Sequence, residues 1–193
     1  MGEYSAAEQT FDARGLRVAT VVARFNDHVT GLLLAGAQAT LAEHGIPEAD
    51  APVYWVPGAF ELPVVAKRLA ESGEFDAVIC LGAVIRGDTP HFEYVAGEAA
   101  AGLSRVALDT GVPVVFGVLT TNSLDQALDR CGGTEGHKGA EAAATAIETA
   151  ALLRTLHSET PHSETPGRCA QMCWSSPTSR SSRWPSFSCF VRR

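Results

Sequence analysis

Hydrophobic positions along the chain fall into two alternating rhythms. Val18-Ala-Thr-Val-Val-Ala23 is a short, almost unbroken apolar run, the pattern of a strand covered on both faces. Behind it Val29, Leu32, Leu33, Ala37 and Leu41 recur at helical spacing, and Gly45 with Pro47 beyond it predicts the stop. The pair then repeats, as strand Val53–Val56 with a helix over 60–72 closed by Gly73. Strand Val78–Leu81 follows, with a helix through Val95, Ala99, Leu103 and Val106 that ends at Gly111. Strand Val114–Leu119 leads into a short helix over 123–130, a glycine-rich loop over 132–139 and a long alanine-rich helix over 140–156. Strands joined by helical crossovers run parallel, with helices on both faces, so the fold class expected is α/β. In such sheets ligands bind beyond the carboxyl ends of the strands. That rule directs attention to Arg24–His28, Pro57–Glu61, Gly82–His91 and Thr120–Ser123.

Composition narrows the class of protein. The 193 residues are 46% hydrophobic and 19% charged, enough for one domain whose core needs no disulfide or metal staples. A formal charge of −7 argues against a nucleic-acid partner held by phosphate neutralisation. No apolar run approaches the roughly 18 residues of a membrane span, and the N-terminus has no basic segment and apolar stretch of a secretory signal. A soluble, cytoplasmic chain is expected, without disulfides.

The composition changes near Leu156. Residues 157–193 hold 3 of the 5 Cys, 2 of the 3 Trp and 5 Arg against only 2 acidic residues. They open with His-Ser-Glu-Thr-Pro twice in tandem and continue without helical or strand period. This tail is expected to be a disordered extension without a catalytic role. Its Cys169, Cys173 and Cys189, with His157 and His162, fit no metal-ligand spacing well, so no metal site is expected. Cys80 reads as a small core residue and Cys131 as a helix-end residue.

The loops after the strands carry the chemistry. Phe25, after the first strand, could offer its face to a flat heterocycle, although a core Phe capping the helix below is the plainer reading of that residue alone. Asn26 and Asp27 suit a helix N-cap equally well. In Pro57-Gly-Ala-Phe-Glu61 the carboxylate falls in a first helical turn, where it could accept from hydroxyl groups or simply complement the helix dipole. The third loop, Gly82-Ala-Val-Ile-Arg-Gly-Asp-Thr-Pro-His91, converges on one purpose. Thr89 and Pro90 read as N-cap and first helical residue, Gly87 permits close approach, and the unpaired N–H groups make an anion site suited to phosphate. His91 stands beside it, in the first turn, and an imidazole passes protons near neutrality. Further on, Arg130 could grip a phosphate through two parallel N–H bonds, or lie on the surface as a partner of the helix end. No Gly-Lys-Ser/Thr and no Gly-x-Gly-x-x-Gly after the first strand occurs, so neither a Walker loop nor a dinucleotide site is expected.

Taken together, Arg24-Phe-Asn, Pro57-Gly-Ala-Phe-Glu-Leu-Pro, Gly82-Ala-Val-Ile-Arg-Gly-Asp-Thr-Pro-His-Phe-Glu-Tyr-Val95, Phe116-Gly-Val-Leu-Thr-Thr-Asn122, Asp129-Arg130 and His137-Lys-Gly139 resemble the 6,7-dimethyl-8-ribityllumazine synthase family in order and spacing. The resemblance covers about residues 14–156. It implies a flavodoxin-like three-layer αβα sandwich with a four-stranded parallel sheet. The implied reaction condenses 5-amino-6-(D-ribitylamino)uracil with 3,4-dihydroxy-2-butanone 4-phosphate, releases phosphate and water, and requires no cofactor. By position, Phe25 would stack on the pyrimidine. Ala59, Phe60 and Glu61 would line the ribityl and ring contacts, and Ala83, Val84 and Ile85 would meet the pyrimidine edge through their backbone. Asp88, Thr89 and Arg130 would hold the phosphate, and His91 would shuttle protons. Phe116 would wall the pocket between subunits, with Lys138 near the bound substrate.

The resemblance further implies a homopentamer, or an icosahedral shell built of pentamers, with residues 1–13 as an arm reaching a neighbour. Two other readings of the same pattern remain. One is a non-catalytic flavin- or lumazine-binding scaffold of the same fold. The other is a flavodoxin-like electron-transfer module, which the missing Ser/Thr-rich phosphate loop after the first strand disfavours.

Overall fold

The computed structural model of the chain describes residues 12–159. Four strands, β1 (Val18–Ala23), β2 (Val53–Val56), β3 (Ala77–Ile85) and β4 (Val114–Thr121), form one sheet in the order β2-β1-β3-β4. Every pairing in it is parallel. The crossovers are α1 (Asp27–Glu43), α2 (Leu62–Ala70) and α3 (His91–Thr110). After β4 come α4 (Leu124–Asp129), a small antiparallel pair of β5 (Cys131–Gly133) and β6 (Gly136–His137), and α5 (Lys138–Glu159). This is the expected flavodoxin-like α/β sandwich with its four-stranded parallel sheet. No helix among the described residues is long and apolar enough to cross a membrane.

The period-2 geometry of a strand sorts the core into two layers. On β3, Ala77, Ile79, Leu81 and Ala83 face one way and pack with Val29, Leu33, Ala37 and Leu41 of α1 and with Ala143, Ala146 and Ile147 of α5. Val78, Cys80 and Val84 face the other way, against Leu62 and Ala66 of α2 and Leu103 and Val106 of α3. Because both faces of the central strands β1 and β3 are covered, their sequence looks like a nearly continuous apolar run, whereas β2 and β4 at the sheet edges keep exposed positions. Cys80 lies in that core as expected, and burial pushes its thiol well above the ordinary range.

Helices α1 and α5 approach closely enough to dictate small residues. A methyl group at Gly139 would run into the Leu33 carbonyl, and one at Gly36 would run into the half-buried imidazole of His137. The alanine-rich character of α5 thus reflects the closeness of its contact with α1 as well as good helix propensity.

Several boundaries differ from the sequence reading for identifiable reasons. Residues 82–85 continue β3 instead of opening a loop, paired with β4 as far as Ile85–Thr121. Residues 59–61 form a short 3₁₀ turn, and α2 starts only at Leu62, because Pro63 lacks an N–H and belongs in a first turn. The glycine-rich loop is instead the β5–β6 hairpin running straight into α5, so Cys131 opens a strand and does not end a helix. Helix α5 continues to Glu159, beyond the expected end at 156; the nearest breaker in the sequence is Pro161. Residues 1–11 of the expected arm over 1–13 and, past Glu159, the tail with Cys169, Cys173, Cys189 and His162 lie outside the described residues.

Candidate functional site

The chain leaves β1 toward β2 on one side and returns through α2 to place β3 on the other. Between the carboxyl ends of β1 and β3 this reversal opens a crevice, the place where such sheets bind ligands. The register shapes it further. Pairing between β1 and β3 stops at Val22–Leu81, while β3 goes on beside β4 to Ile85. Past Leu81 the flank of β3 is therefore free of β1 and borders the crevice.

Asn26 sets the crevice's width. Its backbone is left-handed (φ 60°, ψ 47°), a conformation that Asn tolerates better than other side chains with a Cβ. It sits at the N-cap position of α1, yet its side chain caps nothing there, contrary to the sequence reading. Instead its amide Nδ2 donates to the Ala83 carbonyl at 2.9 Å, which fastens the loop after β1 to the end of β3.

A cavity of about 650 Å³ fills the crevice. Nine of the residues singled out from the sequence line it: Phe25, Ala59, Phe60, Glu61, Ala83, Val84, Ile85, Thr89 and His91. Phe25 is 71% exposed, so it is a presented ring and not a core residue. Phe60, 58% exposed, is a second open aromatic face, whereas Ala59 and Ala83 are buried floor. Helix α3 points its N-terminus into the cavity, with Pro90 rather than Thr89 in the cap position and no side chain satisfying the first N–H groups. That end offers amide donors to an anion, and His91 is the first residue of the helix.

Four of the singled-out residues lie elsewhere. Asp88 is exposed in the loop before α3 but is not among the residues lining the cavity. Phe116 and Lys138 line a second groove of about 580 Å³ along β4, between α3 and α5. Phe116 is 42% exposed there, and Lys138 Nζ is 2.8 and 2.7 Å from the two carboxylate oxygens of Glu141. Arg130, at the end of α4, lines neither space. Its Nη1 donates to the Gln126 carbonyl at 3.0 Å, and Nη2 stands 3.6 Å from a carboxylate oxygen of Glu135. One backbone bond links the two cationic residues, since Lys138 N–H donates to the Arg130 carbonyl at 2.9 Å.

The cavity also contains residues that sequence reasoning left out. Phe92, Tyr94 and Val95 of α3 line it, and Tyr94 is 70% exposed. Arg86 lies over the Phe92 ring, 4.4 Å from its centre, donates to Asn122 at 3.1 Å and meets Glu93 at 3.3 Å. It thereby joins the ends of β3 and β4 to the first turn of α3. The only sequence signal was a cation six residues ahead of an aromatic, too common a pattern to single out.

The 6,7-dimethyl-8-ribityllumazine synthase family model matches residues 15–154, most of the chain and all of the sheet. The chain belongs to this family.

Proposed function

We propose that this chain is a lumazine synthase that joins 5-amino-6-(D-ribitylamino)uracil to 3,4-dihydroxy-2-butanone 4-phosphate, with release of phosphate and water. The observation that carries the proposal is the single cavity between β1 and β3. It holds a ring face at Phe25, a carboxylate at Glu61, the β3 flank that has left β1 and the N-terminal end of α3 with Thr89 and His91. Each matches a part of the two substrates. Phe25 stacks the pyrimidine, the β3 flank pairs its amide edge, and Glu61 accepts from ribityl hydroxyls.

An amine of the pyrimidine attacks the ketone and an imine forms with loss of water. Loss of a proton from the adjacent carbinol carbon then expels phosphate, the resulting enol becomes a carbonyl, and the second amine condenses with it to close the ring with loss of a second water. Every stage moves a proton, a role we assign to His91 because it lines the cavity at the start of α3. A placed general acid–base of this kind contributes about 10²–10⁴-fold. The remaining acceleration comes from holding two reactants that already contain nucleophile and electrophile.

The separation of Phe116, Lys138 and Arg130 from the cavity supports a site completed by a second copy, whose β4 groove and α4 end supply the missing wall and cations. A homopentamer with a site at each junction meets that need. The test is to mix the two substrates with the protein, follow lumazine fluorescence and measure particle mass by light scattering on the same sample. Fluorescence growth with a pentamer or a multiple of it is expected. An assembled particle that makes no lumazine would leave the scaffold reading in its place.

A further inference from the structure

Arg130 already has an anion beside it. Glu135 holds a carboxylate oxygen 3.6 Å from Arg130 Nη2, with both side chains partly exposed. The hairpin turn puts it there. Asp129 accepts from the Thr134 N–H at 2.9 Å and from its hydroxyl at 2.9 and 3.1 Å, which draws the turn back over the end of α4. Gly133 lies so close over Asp129 that a Cβ would collide with it, and Gly136 (φ 78°) then turns the chain into β6. Glu135 is thus carried by a braced turn rather than a loose one.

We infer that Glu135 is a resident counter-ion that competes with phosphate for Arg130, and so sets the affinity of the site for its phosphorylated substrate and for the phosphate it releases. The inference rests on the proposed role of Arg130 as a phosphate ligand. A phosphate dianion approaching this guanidinium must displace the Glu135 carboxylate or sit beside it. Either course weakens binding, by lost pairing or by like-charge repulsion. A glutamate that instead served to orient Arg130 for its ligand would have the opposite effect on affinity.

Titration of inorganic phosphate into the full chain, followed by calorimetry, decides between these. Glu135→Gln and Glu135→Ala are both expected to bind phosphate about two- to fivefold more tightly than the unaltered protein at low ionic strength. The gain should vanish near 1 M salt, where the Debye length is about 3 Å. Arg130→Ala should lose most of the binding in either background. In turnover, KM for the phosphorylated ketone should fall by a similar factor while KM for the pyrimidine stays fixed. Unchanged or weaker phosphate binding in both Glu135 variants overturns the inference, as does binding indifferent to Arg130→Ala. The phosphate titration needs no catalysis, so a protein that showed the expected pattern but formed no lumazine would refute the proposed reaction and leave the competition standing.

Discussion

Asn26 combines two demands that rarely coincide in one side chain: a left-handed backbone and an amide aimed at the neighbouring strand. The two can be separated. Asn26→Gly keeps the backbone and loses the bond to Ala83, at a cost of about 0.5–1.5 kcal/mol. Asn26→Ala loses the bond and adds about 1–2 kcal/mol of backbone strain. Urea denaturation should therefore rank Ala below Gly, and both should raise the pyrimidine KM by loosening the crevice. At His91 the expectation is kinetic. His91→Ala should lower kcat by about 10²–10⁴-fold while sparing pyrimidine binding, as measured by lumazine fluorescence and pyrimidine titration. Phe25, Glu61 and His91 could be singled out because each lies between a readable strand and a readable helix, but the residues alone made a core ring the plainer reading of Phe25, which its exposure overturns. The cross-strand work of Asn26 was not legible, since one left-handed residue leaves no period and its partner lies 57 positions away.

Among the elements, the β5–β6 hairpin and its junction with α5 carry the clearest consequences. The Asp129 carboxyl is held below its ordinary range, chiefly by the N–H of Thr134, then by its hydroxyl, with a smaller attraction from Arg130. A depressed carboxylate stabilises the fold where it is ionised. Its contribution is complete only well above the ordinary carboxyl value and is lost as pH falls through the lower folded value. The Thr134 amide resonance should accordingly titrate with a midpoint below that of an unperturbed aspartate. Where α5 meets α1, Gly139→Ala forces a methyl against the Leu33 carbonyl. Overpacking of this kind costs about 1–3 kcal/mol and should appear as a lower Tm in a thermal melt. Helices such as α1 and α3 could be read from the sequence because burial of one face imposes a period, and β1 because cover on both faces leaves an unbroken apolar run. Strands of three and two residues held by a side-chain brace impose none, so the hairpin looked like a loop.

For the whole molecule, the sheet order and the match to the lumazine synthase family agree over most of the chain. The order of the strands was only implied by resemblance, because alternation by itself does not say on which side of β1 the third strand lies. Nor could spacing reveal that Phe116 and Lys138 sit on a groove apart from the one that holds Phe25 and His91. That division is a property of topology, which puts the end of β3 and the outer edge of β4 in different surroundings.

Such a split has a genetic reading. If each junction borrows one half from either neighbour, two chains crippled in opposite halves can rescue one another. Refolding His91→Ala together with Arg130→Ala in equal amounts should make about one junction in four intact in a randomly mixed ring, although each variant alone is nearly silent. Activity in the mixture well above the average of its parents would mean that an intact centre can be assembled from two defective copies; activity equal to that average would mean that every chain must supply the whole of its own chemistry.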